Sequence, residues 1–199
     1  MPKRNSDLHG NAPDKCPVAL LLVDVINDLK FPGNAGILRS AKTMAARLDA
    51  LAKRARKAKI PVVYVNDNFG RWRSDFHQQV QHCLNEDVGG KPLVERLRPE
   101  EHDYFVLKPK HSGFYSSALD LLLRHLEAHT LIITGIAGDR CVLFTANDAY
   151  LRDYKLFVPS DCVISNTPRQ NMEALNLMRR VLHADTRRSA QIRFRTLLK

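Results

Sequence analysis

The sequence predicts a three-layer α/β/α fold: a doubly wound, mostly parallel sheet of about six strands with helices on both faces, in the Rossmann-like manner. Three observations predict it. Short apolar runs are continuous rather than alternating, which marks strands buried on both faces. Each run is followed by a longer stretch with helical apolar spacing, and that alternation requires a parallel sheet with crossover helices. Several runs stop at a polar residue, where such a sheet exposes its carboxyl edge.

The elements follow in order. Residues 18–24 read VALLLVD, a buried strand, and the next segment carries Ile37, Leu38, Ala41, Ala45, Leu48, Leu51, Ala52 and Ala55 on one helical face. PVVYVN (61–66) is the second strand, followed by a long segment with a short helix near residues 74–84. YFVLK (104–108) is the third strand; the helix over 116–127 then sets Leu119, Leu122, Leu123 and Leu126 in one stripe. TLIITGI (130–136) is the fourth, and a helix begins near Arg140. KLFVPS (155–160) is the fifth, with a helix over 169–182, a weaker strand near 185–189 and a terminal helix completing the chain. No repeat, low-complexity stretch or linker divides it, so one domain is expected over 18–199 behind a polar tail of residues 1–17.

With 199 residues, 44% of them hydrophobic, the chain can bury one substantial core. Its apolar runs fall far short of the ~20 residues of a membrane-spanning helix, and MPKRNSDLHGNAPDK lacks the apolar segment of a secretory signal. A cytoplasmic protein without membrane contact is expected. Cys16, Cys83, Cys141 and Cys162 have neither CxxC spacing nor the pattern of a disulfide framework, so each reads as a free thiol.

Lys and Arg number 31 against 21 Asp and Glu, a net charge of +10. The excess is dispersed over one helix face (Lys42, Arg47, Lys53, Arg54, Arg56, Lys57) and the pairs Arg179-Arg180 and Arg187-Arg188, without interleaved aromatics. That pattern reads as solvated helix surface; a nucleic-acid partner is not expected. Attraction of an anionic substrate or an acidic surface stays open.

Ligands of a doubly wound sheet lie beyond the carboxyl ends of its strands. This rule nominates Asp24, Asn66, Asp67, Lys108, the stretch 135–141 (GIAGDRC) and Asp161. Cys141 falls in the first turn of a helix, where the dipole favours thiolate by ~0.3–2 kcal/mol, or about one pKa unit. Asp24 would reverse that gain and the Lys108 ammonium would restore it, so a sulfur ionised near neutral pH is expected. Nucleophile, base and cation make chemical sense together. Read singly, a packed cysteine, a capping aspartate and a surface lysine are equally open.

Three blocks occur in one order: LLLVDVINDL (20–29), KPKHSGFYSSALDLLL (108–123) and TGIAGDRCVLFTANDAYLRDYKLFVPSDCV (134–163). Together they resemble the isochorismatase-like cysteine hydrolase family, whose members include nicotinamidases and N-carbamoylsarcosine amidases, over most of residues 18–183. The resemblance implies that Asp24, Lys108 and Cys141 are catalytic. Lys110 competes for the lysine role, but Lys108 precedes Ser112-Gly113-Phe114 at the family's spacing. The resemblance further implies a cis peptide at Ile136–Ala137, an oxyanion hole formed by the N–H groups of Ala137 and Cys141, and a homo-oligomer. It implies cleavage of a C–N bond in a small amide, ureido or carbamoyl substrate through a Cys141 thioester. Asp24 would serve as base in both halves.

Departures from the family pattern matter. Ile26 replaces the glutamine of the DxQND motif. The metal-binding histidines of nicotinamidase-type members have no counterpart in NDNFGRWRSDFH (66–77) before His77, so neither metal nor cofactor is expected. Asn68, Phe69, Trp72 and Phe114 are candidate pocket walls, and His111 could serve as an acid. Three alternatives are carried: a vinyl-ether hydrolase of the isochorismatase type, a non-catalytic binding protein using its basic surface, and a redox sensor pairing Cys141 with Cys162.

Overall fold

The computed structural model describes residues 15–31, 34–70 and 75–198. Six strands form one sheet in the order β3-β2-β1-β4-β5, with β6 paired to β4, and every pairing is parallel. The strands are β1 (Val18–Val23), β2 (Val62–Asp67), β3 (Tyr104–Lys108), β4 (Thr130–Ile136), β5 (Lys155–Phe157) and β6 (Val163–Ile164). Helices α1 (Ala35–Lys57), α2 (Phe76–Asn85), α3 (Lys91–Arg96), α4 (Leu119–His125) and α5 (Leu143–Tyr150) lie between successive strands up to β5, and α6 (Pro168–Val181) and α7 (Phe194–Leu197) follow β6.

β1 shows why its apolar run is continuous. Leu20 and Leu22 pack into one hydrophobic layer with Ile37 and Leu48 of α1 and Leu93 of α3. Ala19, Leu21 and Val23 point into the opposite layer, with Leu119 and Leu123 of α4, Ala146 of α5 and Met178 of α6. Alternate residues of a strand face opposite sides, so burial on both sides demands apolar residues throughout. Each buried leucine contributes roughly 1.5–3 kcal/mol.

Strand order reverses between β1 and β4, the register running from Val18↔Thr130 to Val23↔Gly135. A crevice opens at that switch point, beyond the carboxyl ends. Residues 24 and 137–141 therefore face each other across it.

Four differences from the sequence expectation have local causes. The fifth strand stops at Phe157, because Val158 N–H donates to Asp185 O at 2.8 Å and the chain turns. The expected strand near 185–189 reduces to a single bridge, Phe157↔Asp185. β6 was not anticipated, since two residues carry no legible period. The helix expected from 116 begins at Leu119, whose N–H donates to Ser117 Oγ at 3.1 Å after Ser116 adopts φ 47°.

Part of the basic face of α1 is structural. Arg54 donates to Ser189 O (3.0 Å) and Ile192 O (2.6 Å) and lies over the Phe194 ring, and Arg56 pairs with Asp103 and Glu100. Among the described residues no helix is long and apolar enough to cross a membrane.

Candidate active site

Asp24 follows β1 directly, at φ 50° and 5% exposed. Its Oδ1 accepts from Asp67 N–H at 2.6 Å, and its Oδ2 lies 2.8 Å from Lys108 Nζ. Lys108 ends β3, two strands away, or about 10 Å at the usual spacing. Only a long side chain crosses that gap. The ammonium is fully buried; it donates to Lys110 O at 3.1 Å and lies 3.4 Å from Asp67 Oδ2 and 3.7 Å from Cys141 Sγ. Lys110 itself is exposed and gives the site only its carbonyl.

Cys141 arrives from β4 through a turn that small residues permit. Gly135 has φ 115°, and a Cβ there would stand 2.0 Å from Val23 O. A Cβ on Gly138 would meet Asn171 Oδ1 at 2.5 Å. The Ile136–Ala137 peptide is cis, as the resemblance implied. Ala137 O accepts from Arg140 N–H (3.0 Å) and Val142 N–H (3.1 Å), opening a wide π-helical turn over Gly138–Val142 that continues into α5. Asp139 N–H donates to Ser165 Oγ at 3.1 Å, and Asn171 Nδ2 donates to Val163 O at 3.0 Å. Ser165 and Asn171 thus fix the turn from behind, a role no sequence pattern announced.

The Lys108 loop is fastened to the Cys141 helix. Ser112 Oγ donates to Asp148, and Gly113 N–H donates to Thr145 Oγ1 at 2.9 Å. His111, exposed, places Nδ1 3.6 Å from Cys141 Sγ with its ring against Phe144.

Electrostatics correct one expectation. The Cys141 thiol is pushed up to about 12, first by burial and then by the Asp24 charge, with Lys108 offsetting only part. The sulfur is therefore protonated at neutral pH, because Asp24 and Lys108 already neutralise each other and a second buried anion has no partner left. Burial also raises the Asp24 carboxyl, against the opposing pull of Lys108 and the thiol. Burial alone would lower Lys108, but the Asp24 charge, with its hydrogen bond and the Asp67 charge, outweighs it and holds the ammonium above its ordinary value.

The structure sorts the other candidates. Phe114 is not a pocket wall: at 5% exposure it packs in the core with Arg152 over its ring at 4.7 Å and Tyr154 at 6.0 Å. Its spacing after Lys108 serves packing. Asn68 is buried, its N–H donating to Lys108 O and its Oδ1 accepting from Gly70 N–H, so it shapes the turn after β2. Phe69 is half-exposed and lines a cavity of about 440 Å³ with Ile26, Asn27, Gln78 and His82. Trp72 lies outside the described residues. Asp161 accepts from Ser189 N–H and Oγ, which makes it structural. Ile26 has a fully buried side chain, while its N–H and C=O are clamped by Asn66 at 3.2 and 2.7 Å.

Asp67 accepts from Phe69 N–H at 2.7 Å and faces the Lys108 ammonium, a poor setting for a cation ligand. Among the described residues no cluster of three or more His, Cys, Asp or Glu could hold a metal ion. Cys162 is fully buried beside Asp161, and burial followed by that charge raises it to about 12, which disfavours it as a resolving thiol.

The model of the isochorismatase domain matches residues 18–189. The chain belongs to the isochorismatase family. It is 41% identical over 178 residues to the isochorismatase family protein YaaI of Bacillus subtilis, covering 89% of this chain and 97% of that one. It is 30% identical over 175 residues to the ureidoacrylate amidohydrolase RutB of Methylobacterium radiotolerans, covering 75% and 68%. Among solved structures, N-carbamoylsarcosine amidase from Thermoplasma acidophilum superposes with a TM-score of 0.68 at 28% identity, covering 88% and 98%. This isochorismatase-family chain is a hydrolase, and Asp24, Lys108 and Cys141 all fall inside the matched segment.

Two further residues stand beside the isochorismatase-family cluster, Asp67 and the possible acid His111. Asp67 was nominated only as a strand end, yet its β-sheet register opposite Lys108 brings the two side by side. His111 carried a signal, its position three residues after Lys108, but no spacing rule fixes where an exposed side chain points.

Proposed function

We propose that this hydrolase cleaves the C–N bond of a small amide, ureido or carbamoyl compound through a thioester on Cys141. The observation that carries the reading is the contact of one buried ammonium with both a buried carboxylate and a thiol: Lys108 Nζ at 2.8 Å from Asp24 and 3.7 Å from Cys141. Two relatives support the substrate class by their names, a ureidoacrylate amidohydrolase and an N-carbamoylsarcosine amidase.

Asp24 takes the thiol proton as Sγ attacks the carbonyl carbon, and the carbonyl electrons move to oxygen. Backbone N–H groups of Ala137 and Cys141 are assigned to that oxyanion; such donors are worth ~3–4 kcal/mol when aligned. As the C–N bond breaks, the nitrogen takes the proton from Asp24, leaving the thioester and a free carboxylate. Lys108 keeps that carboxylate charged while the proton is away. Water then cleaves the thioester and returns the thiol. Because the sulfur is neutral at rest, ionisation and attack are coupled. Half-exposed Phe69, two residues after the Asp67 N–H that holds Asp24, is assigned to the unreacting part of the substrate.

The test is a panel of carboxamides, ureido acids and N-carbamoyl amino acids, scored for ammonia or amine release. Turnover of at least one class by the wild type, with loss of ~10³-fold or more in Cys141→Ser, is expected. Equal rates in both proteins would remove Cys141 from the chemistry.

A further inference from the structure

Burial orders the groups around Cys141 by depth. Lys108 is fully buried, Asp24 is 5% exposed, the sulfur is partly exposed and His111 is exposed. Asp24 is also fixed in place, with Oδ1 held by Asp67 N–H and Oδ2 by the Lys108 ammonium. It reaches the sulfur from the interior. Water reaches a thioester on that sulfur from the solvent side, where the His111 imidazole stands 3.6 Å from Sγ.

His111 is held there by its surroundings. The chain between residues 108 and 111 curls so that Lys110 O accepts from the Lys108 ammonium, and Ser112 and Gly113 then anchor on α5. The imidazole rests against Phe144, with ring centres 5.5 Å apart. Loop and sulfur are therefore fixed to the same helix.

We propose that His111 is the catalytic base of the hydrolytic half-reaction, which divides the proton traffic into an interior route through Asp24 and a solvent-side route through His111. This rests on the thioester reading above and reassigns the second half of the work first given to Asp24. A neutral imidazole nitrogen takes a proton from water as the water oxygen bonds to the thioester carbon. The tetrahedral intermediate collapses with rupture of the C–S bond, the sulfur leaves with the bonding pair, and the imidazolium returns its proton to the sulfur. The net change is thioester plus water to acid plus thiol, with the imidazole regenerated. A general base must lie within hydrogen-bond reach or one water of its proton, and it typically contributes 10²–10⁴-fold.

The experiment isolates this half with p-nitrophenyl acetate, whose leaving group needs no proton. The proteins compared are wild type, Cys141→Ser, His111→Gln and His111→Phe; the last retains an aromatic ring against Phe144. In both His111 variants the first equivalent of p-nitrophenolate per chain is released as fast as in wild type. The steady-state slope then falls about a hundredfold, and a protein mass increased by one acetyl group, mapped to Cys141, accumulates. Hydroxylamine, a stronger nucleophile with less need of a base, restores the slope. A slope unchanged in both variants overturns the proposal, and so does loss of the first equivalent, which would assign His111 to the thiol instead. If wild type and Cys141→Ser release p-nitrophenolate alike, the thioester reading itself fails.

Discussion

At Cys141 the competition between desolvation and charge decides the chemistry. A helix dipole and one ammonium favour the thiolate, but each acts on a sulfur partly removed from water and facing a carboxylate already paired with that ammonium. Desolvation is the larger effect. The prediction is that iodoacetamide alkylates Cys141 more slowly than free cysteine at neutral pH. The rate should climb with pH toward about 12, since the reacting thiolate forms only there. A rate that levels off near neutral pH would mean an ionised resting sulfur and a different division of labour between Asp24 and Lys108. The resting thiol is one point at which residue-level reasoning from sequence failed. Dipole and neighbours could be counted from the chain, but the depth of burial that outweighs them could not.

At the scale of elements, the site is made by strand ends and the turns after them. β1, β3 and β4 deliver Asp24, Lys108 and the Cys141 turn, and β2 supplies Asn66 and Asp67, which hold the loop after β1 and the Asp24 carboxylate. β1 and β4 approach so closely at Gly135 that no side chain fits. Gly135→Ala should therefore cost at least ~1–3 kcal/mol from the strained backbone alone and reduce hydrolysis by spreading Asp24 from Cys141. Denaturant melts and amine release measure the two effects; a variant as stable and active as wild type would show that this approach is not needed. Continuous apolar runs made β1, β2 and β4 legible in the sequence, and the long stripe on α1 made that helix legible. β6 and α3 were not, because elements of two and six residues are too short to repeat their period. Phe114 misled for a related reason: spacing from Lys108 identifies the segment but not which side of it faces the core.

For the molecule as a whole, the doubly wound order explains why residues 24, 108 and 141, far apart in the chain, meet at one point. The fold class and the cluster could be anticipated because strand ends of a parallel sheet share one rim. The outer wall of the site could not, since it depends on where loops such as 66–70 and 108–114 turn. The basic surplus is partly absorbed by the fold, with Arg54 and Arg56 fastening the C-terminal segment and Asp103. What unites these features is one claim, that buried Asp24, steadied by Lys108, carries the proton of Cys141 while the sulfur becomes acylated. The most direct measurement is a single-turnover reaction with the best panel substrate, acid-quenched and read by peptide mass. The account predicts an acyl group on the Cys141 peptide, formed before product acid is released, and at least a hundredfold slower formation in Asp24→Asn. Product formed at the wild-type rate by Asp24→Asn, or released without any adduct passing through Cys141, would contradict it.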